Sequence, residues 1–173
     1  MFLSLIQKRR SIRKFQNKAV ESEKIDMITE AMLRAPSSRG INPWEFILID
    51  HPDTIDYLSK TKKHGSSFLK NAPFAIVILG DIEKSDMWIE DTSISATYIQ
   101  LAAEDIGLSS CWIQIRNRPH DENHSGSDYV AEHLNIPKQY QVTSIIAIGY
   151  PDEQKEAHKK EHLQTEKIHL NQY

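Results

Sequence analysis

Residues 8–15 read Lys8-Arg9-Arg10-Ser11-Ile12-Arg13-Lys14-Phe15. The segment from Arg9 to Arg13 holds three guanidinium groups and one hydroxyl group within five residues. Arginine keeps its positive charge at physiological pH and binds phosphate oxygens through paired hydrogen bonds. The stretch therefore suits a dianionic phosphate, although a solvated basic face or a nucleic-acid-binding arm has a similar composition.

A second informative stretch follows about one helix later, at Ala35-Pro36-Ser37-Ser38-Arg39-Gly40-Ile41-Asn42-Pro43-Trp44. Its residues are mostly small, polar or turn-forming until a large aromatic side chain closes it, which is typical of a loop. Such a loop is suited to packing against a planar ligand.

The overall composition limits the class of protein. The chain has 173 residues, enough for one domain with one core, and its net charge of −3 argues against a dedicated nucleic-acid binder. Its single cysteine, Cys111, cannot form an intrachain disulfide, as expected in a reducing compartment. The apolar run at residues 1–6 precedes the basic residues, unlike a secretory signal, and no apolar run is long enough to cross a bilayer. We therefore expect a cytoplasmic protein with no membrane or nucleic-acid partner.

Hydrophobic periodicity and turn signals predict helices mixed with short buried strands. An amphipathic helix over residues 22–34 begins near Ser22 and is stopped by Pro36. The other predicted elements are strands at 45–50, 74–80, 110–115 and 142–150, and helices at 52–58, 88–106 and 128–134. The last strand is mostly apolar, so we expect it inside the sheet.

The predicted helix at 88–106 is apolar over about two-thirds of its circumference. Its polar residues form one narrow stripe, made of Glu90, Ser93, Thr97, Gln100 and Glu104. A helix of this kind needs protein on most sides, and in a domain this small a second subunit is one source of that cover.

The composition changes after Pro151. Residues 152–172 are highly charged, and their only apolar members are Ala157, Leu163, Ile168 and Leu170. A solvated chain end has this composition. Because Ile168 and Leu170 are at strand spacing, an arm that crosses to a partner subunit is the second interpretation.

The two N-terminal stretches, in this order and spacing, resemble the FMN-dependent nitroreductase family. The resemblance continues through Leu101-Ala102-Ala103, Gly107-Leu108, Cys111-Trp112-Ile113 and Ile148-Gly149-Tyr150-Pro151. It implies an α+β fold with a mainly antiparallel sheet flanked by helices, in an intertwined homodimer with two FMN sites at the subunit interface. It also implies an FMN-binding domain over residues 1–150 and a C-terminal arm over 151–173 that crosses to the partner.

The cofactor contacts that the resemblance implies fall into groups. Contacts to the FMN phosphate and ribityl end are expected from Arg9, Arg10, Ser11 and Arg13. Contacts from the other subunit are expected from Pro36, Ser37, Ser38 and Asn42. Backbone contacts near the reactive edge of the ring are expected from Ile113 and Gln114, and further basic contacts to the phosphate from Lys159 and Lys160.

Two positions depart from the family pattern. Many relatives have a glycine where this chain has Gln114, whose side chain either narrows the pocket over the flavin or points away from it. Relatives often supply an asparagine or lysine to the flavin from the segment before Phe68, and here the nearest residues are His64 and Ser67.

The implied activity passes a hydride from NAD(P)H through FMN to a nitroaromatic, quinone or similar acceptor, with ping-pong kinetics. Because FMN performs this chemistry and the protein supplies binding and orientation, no catalytic side chain is nominated. A non-enzymatic flavin-binding or flavin-storing protein on the same fold is the alternative.

Metal and thiol chemistry are not favoured. The pairs His120 with His124 and His158 with His162 have helical metal-ligand spacing, but they lie in polar segments, where surface histidines are the better interpretation. Cys111 lies inside an apolar predicted strand, which favours a buried structural thiol over a nucleophile.

Overall fold

The computed structural model describes every residue from Met1 to Tyr173. Its helices are α1 (Phe2–Lys8), α2 (Ser22–Leu33), α3 (Pro52–Ser59), α4 (Trp88–Asp105) and α5 (Gly126–Leu134). Its strands are β1 (Trp44–Ile49), β2 (Phe74–Asp81), β3 (Ser109–Gln114) and β4 (Tyr140–Gly149). Every helix and strand predicted from the sequence is confirmed, with ends that shift by at most two residues.

The four strands form one sheet in the order β1-β2-β4-β3, and each neighbouring pair is antiparallel. The last strand in sequence therefore lies between β2 and β3, which confirms that it is interior. The edges of the sheet are β1 and β3. This arrangement, with helices on the sheet faces, confirms the predicted α+β class.

Both faces of the central strands are buried, which explains their continuous apolar sequence. On one face, Ala75, Val77 and Leu79 of β2 pack in a core cluster that includes residues of α3 and α5. On the other face, Ile76 and Ile78 pack against α2 and α4. Alternate residues of one strand thus enter two separate cores, as the period of two requires.

Helix α4 is only partly covered by its own chain. Ala96, Ile99 and Ala103 are fully buried against the sheet, whereas Ile94 is 37% and Tyr98 is 38% exposed. An apolar groove of about 580 Å³ runs between α1 and α4. The chain itself therefore covers only part of the apolar surface of this helix.

Helix α1 and the short 3₁₀ helices were not predicted. Helix α1 has seven residues, none of them buried, and no side-chain cap, so it lacks the periodic and capping signals of a longer helix. One of these 3₁₀ helices covers Ser67–Asn71, between α3 and β2.

The C-terminal segment makes no α-helix or strand after Gly149, only 3₁₀ turns at Lys160–His162 and Thr165–Lys167. Its apolar side chains are exposed, with Ile168 at 78% and Leu170 at 85%. None of the helices combines the length and the apolar character needed to span a bilayer.

Candidate functional site

The basic stretch lies along the start of β3. Ser11 forms a parallel bridge with Ser110, and the Ile12 N–H donates to the Ser110 carbonyl oxygen at 3.1 Å. Ile12 is buried in the core, which fixes the segment, while Arg13 is exposed and Arg9 and Ser11 are partly exposed. We call Arg9, Arg10, Ser11 and Arg13 the arginine cluster.

The guanidinium groups of the arginine cluster have no carboxylate within ion-pair distance. Arg10 donates to the backbone carbonyl of Glu156, and Arg13 lies over the Phe68 ring at 5.6 Å from its centroid. Three neighbouring positive charges whose guanidinium groups have no ion-pair partner are electrostatically unfavourable, so this end of β3 is suited to a dianion.

Lys155 is a further basic residue of this region that the sequence did not identify. Its Nζ donates to the Ser11 carbonyl oxygen at 2.7 Å and lies 3.4 Å from Glu153 Oε1. The predicted phosphate contacts Lys159 and Lys160 are exposed, and no hydrogen bond or ion pair joins either side chain to the arginine cluster. An irregular tail has no periodicity from which the contacting lysine could be chosen.

Glu153 links the tail to the arginine cluster. Its Oε1 accepts hydrogen bonds from the backbone N–H groups of Arg13 at 2.6 Å and Lys14 at 3.3 Å. The Arg13 N–H is the main reason that the pKa of this carboxyl is lowered. The charged form of Glu153 therefore stabilises the contact between residues 13–14 and the tail.

The predicted contacts from the other subunit, Pro36, Ser37, Ser38 and Asn42, lie in one loop with an unusual backbone conformation. We call it loop 36–42. Arg39, Gly40 and Asn42 all have positive φ angles, of 55°, 65° and 52°. The Ser37 hydroxyl accepts from the Asn42 N–H at 2.9 Å and donates to Asn42 Oδ1 at 2.6 Å. These bonds close the loop on itself.

Asp91, in the first turn of α4, anchors this loop and was not identified from the sequence. It is 2% exposed, and its Oδ1 accepts from the Ser38 N–H at 2.7 Å. Lys84 donates to the Asn42 carbonyl oxygen at 3.1 Å, and Arg39 pairs with Asp86. An acidic residue at a helix start is ordinary in sequence, so its role appears only when the loop is folded against it.

The arginine cluster and loop 36–42 lie at opposite ends of the sheet. Ser110 is level with Ile148 and Phe74, whereas the loop leads into Trp44, which is level with Gly80. Six residues of β2 separate these levels, or about 20 Å. The structure of the single chain therefore does not bring the two predicted groups together.

At the other end of β3, Ile113 and Gln114 have different surroundings. Ile113 is 1% exposed and its side chain belongs to the core, so only its backbone is available to a ligand. Gln114 Oε1 accepts from Trp112 Nε1 at 3.0 Å, and its Nε2 donates to the Arg116 carbonyl oxygen at 3.0 Å. Its amide is thus held along the strand.

Lys62 reaches this end of β3 and was also missed. Its Nζ donates to the Gln114 carbonyl oxygen at 2.9 Å, and the side chain is partly buried. The predicted residues His64 and Ser67 are exposed and have no side-chain hydrogen bond. The sequence offered two lysines and a histidine in a row, with no signal to say which one turns inward.

The other titratable groups support structural roles. Cys111 is 1% exposed, and burial raises the pKa of its thiol, which fits a structural residue. The His120–His124 pair belongs to a tight turn in which His124 Nδ1 lies 3.1 Å from Asp121 Oδ1. No group of three or more potential metal ligands is present.

Comparisons with known proteins agree on one family. The sequence profile of the Nitroreductase family matches residues 6–65 and 59–150. An FMN-dependent nitroreductase from Clostridium difficile has a TM-score of 0.98 and 50% identity, with 99% of each chain covered. A protein of Clostridium acetobutylicum, provisionally named an NADH oxidase, has a TM-score of 0.87 and 32% identity, with 98% of this chain and 99% of that chain covered. A protein of Archaeoglobus fulgidus, provisionally named an NADH dehydrogenase/NAD(P)H nitroreductase, is 31% identical over 99% of this chain and 98% of its own.

The Glu153 contact predicts a pH-dependent stability difference. Because the folded-state pKa of Glu153 lies below its ordinary value of 4.5, its contribution is complete above that pH and is lost as the pH falls through the folded-state pKa. Glu153→Gln should therefore unfold at lower urea concentration than wild type at about pH 7, and this difference should shrink at about pH 3. The exposed neighbour Glu156, replaced in Glu156→Gln, is the control. An equal difference at both pH values would contradict the charge-dependent contact.

Proposed function

The chain belongs to the nitroreductase family, and from that premise we propose that it is an NAD(P)H-dependent FMN oxidoreductase that reduces nitroaromatic, quinone or similar acceptors. The observation that supports this proposal best is the arginine cluster. Three guanidinium groups without a carboxylate partner, beside the Ser11 hydroxyl and close to Lys155, match the charge and donor requirements of the FMN phosphate.

The residues of this chain contribute binding and orientation. The arginine cluster would hold the phosphate, and the backbone of Ile113 and Gln114 at the far end of β3 would meet the ring. Bound FMN would supply the redox chemistry, accepting a hydride from NAD(P)H and passing two electrons to the acceptor. No side chain of this chain has to form a covalent bond with either substrate. Reductant and acceptor can therefore occupy the same position beside the flavin ring in turn, which predicts ping-pong kinetics.

A second copy of the chain is part of this proposal. Loop 36–42 is folded and anchored, yet it lies about 20 Å along the sheet from the arginine cluster. A site that needs both groups would be completed between two subunits. The exposed apolar residues of α4 and of the tail are the surfaces that we propose to be buried in this homodimer, with residues 151–173 as the arm that crosses to the partner.

The first experiment separates the enzyme from a flavin-storing protein of the same fold. Purified protein loaded with FMN is mixed with NADH or NADPH without oxygen, and the flavin absorbance is followed by stopped flow. We expect the absorbance to bleach rapidly and to recover when a quinone or a nitroaromatic is added. Flavin that stays oxidised with both reductants would favour the storage protein.

The second experiment tests the phosphate contact. Arg9→Ala should weaken FMN binding by about 1.5–3 kcal/mol, the range for a hydrogen bond to a charged group. Riboflavin lacks the phosphate and should lose much less affinity, as measured by fluorescence titration. Lys14→Ala is the matched control, because Lys14 is a neighbouring exposed cation whose side chain lines a different cleft. Equal losses for FMN and riboflavin would mean that Arg9 does not contact phosphate.

The third experiment tests the arm. Removing residues 163–173 deletes Leu163, Ile168 and Leu170 but keeps Lys155, Lys159 and Lys160. If the arm crosses to the partner, the truncated protein should already dissociate at protein concentrations at which the full-length dimer is intact, as measured by sedimentation. It should also lose FMN faster. A flavin-loaded monomer of the full-length chain at micromolar concentration would overturn the dimer proposal.

A further inference from the structure

A polar cleft lies beside the end of β3, away from the arginine cluster. Its volume is about 310 Å³, near the lower limit for small-molecule pockets. The walls come from residues 62–64, after α3, and from the loop at 118–122, after β3. The residues that line it are charged, histidine or proline, and the wall between their charged groups is mostly carbon.

Three cations line the polar cleft: Lys62, Lys63 and Arg118. None of them has a carboxylate within ion-pair distance. Lys62 is partly buried, and its one hydrogen-bond acceptor is the neutral backbone oxygen of Gln114. Like charges held side by side repel each other, and a bound anion would relieve this repulsion.

The pKa of Lys62 reflects its partly buried position near another cation. It is lowered chiefly by burial and further by the charge of Arg118, while Cys111 acts in the opposite direction. A lysine in such surroundings gains more from an anionic partner than a fully solvated one does.

The acids at the rim do not neutralise these cations. Asp121 Oδ1 accepts from the backbone N–H groups of Asn123 at 2.7 Å and His124 at 2.8 Å, and the first of these bonds is the main reason that its pKa is lowered to about 2. The Asp121 carboxylate is thus hydrogen-bonded within its own turn. Glu122 is exposed and makes no ion pair. The formal charge of the lysines, arginine and acids that line the cleft remains positive.

One wall of the polar cleft is rigid. His120 Nδ1 lies 2.9 Å from the Thr61 carbonyl oxygen, and its ring stacks on Tyr129 at 3.9 Å with an interplanar angle of 17°. Tyr129 stacks in turn on Tyr57, and Tyr57 on His133. This four-ring stack holds the wall before any ligand arrives, which lowers the entropic cost of binding.

The polar cleft adjoins the ring end of the proposed FMN site. Lys62 donates to Gln114, and His64, another predicted flavin neighbour, also lines the cleft. Ser110, beside the arginine cluster, is four residues away along β3, or about 13 Å. The two positive regions are therefore separate, and the phosphate of FMN would occupy the arginine cluster.

We infer that the polar cleft binds the anionic group, a carboxylate or a phosphate, of one of the two substrates. This inference rests on the proposed function, because it makes the cleft part of the place where reductant and acceptor react. The anion could belong to an acidic acceptor or to the 2′-phosphate of NADPH, and the experiment distinguishes them.

The test uses Arg118→Gln in the full-length protein loaded with FMN, with Lys63→Gln as a second variant in case the first fails to fold. Lys138→Gln is the control, since Lys138 is exposed, has no ion pair and lines another cleft. One arm compares kcat/KM for 4-nitrobenzoate and 4-nitrobenzamide with NADH as reductant. The other compares NADPH and NADH with a neutral quinone. Calorimetric titration of the oxidised protein with 4-nitrobenzoate, 4-nitrobenzamide, NADP⁺ and NAD⁺ measures binding without turnover.

We expect Arg118→Gln to lower the preference for the anionic member of one pair by about tenfold, as loss of a hydrogen bond to a charged group predicts. Neutral substrates, FMN affinity and the control should be nearly unchanged. A fall for 4-nitrobenzoate identifies the acceptor as the source of the anion, and a fall for NADPH identifies the reductant.

Unchanged preferences in both arms, with unchanged calorimetric affinities, would overturn the inference while leaving the oxidoreductase proposal intact. A wild-type protein with no turnover would overturn that proposal instead, and calorimetry would then decide the question of the cleft alone.

Discussion

Burial of β2 and β4 on both faces is the constraint on which the rest of the structure depends. Because α2 and α4 cover one face and α3 and α5 the other, no polar ligand can approach the middle of the sheet. Polar chemistry is confined to the free edge of β3 and to the turns at the strand ends. The arginine cluster, loop 36–42 and the polar cleft all lie in these places. Among the charged residues only Asp91, beneath loop 36–42, is buried, as the cost of burying a charge leads one to expect.

The distribution of charge follows from the same constraint. The three guanidinium groups of the arginine cluster and the three cations of the polar cleft make no ion pair, even though the chain as a whole has a net charge of −3. Glu153, for example, accepts hydrogen bonds from two backbone N–H groups beside the arginine cluster and makes no ion pair with a guanidinium group. Fixed positive charge in a partly desolvated place attracts anions more strongly than the same charge in water.

The sequence predicts the elements of this fold well because their signals are local. The helix at 22–34 has its stop at Pro36, and the apolar run at 142–150 is interior because it has no polar alternation. The lysines were harder to assign. Lys62 contacts Gln114 and Lys155 contacts Ser11, and neither contact has a signal in the sequence, because a contact made by an irregular segment depends on its path across the fold. Asp91 was missed for the same reason, since the Ser38 N–H that it binds lies 53 residues away in sequence.

The backbone of loop 36–42 has a consequence for how two copies would meet. Arg39, Gly40 and Asn42 adopt left-handed conformations that an unfolded chain seldom visits, and Asp91, Lys84 and the Ser37–Asn42 bonds hold them there within one protomer. The conformational entropy of this loop is thus lost during folding of the monomer and not again during association. In the proposed homodimer, this region can therefore dock as a rigid body.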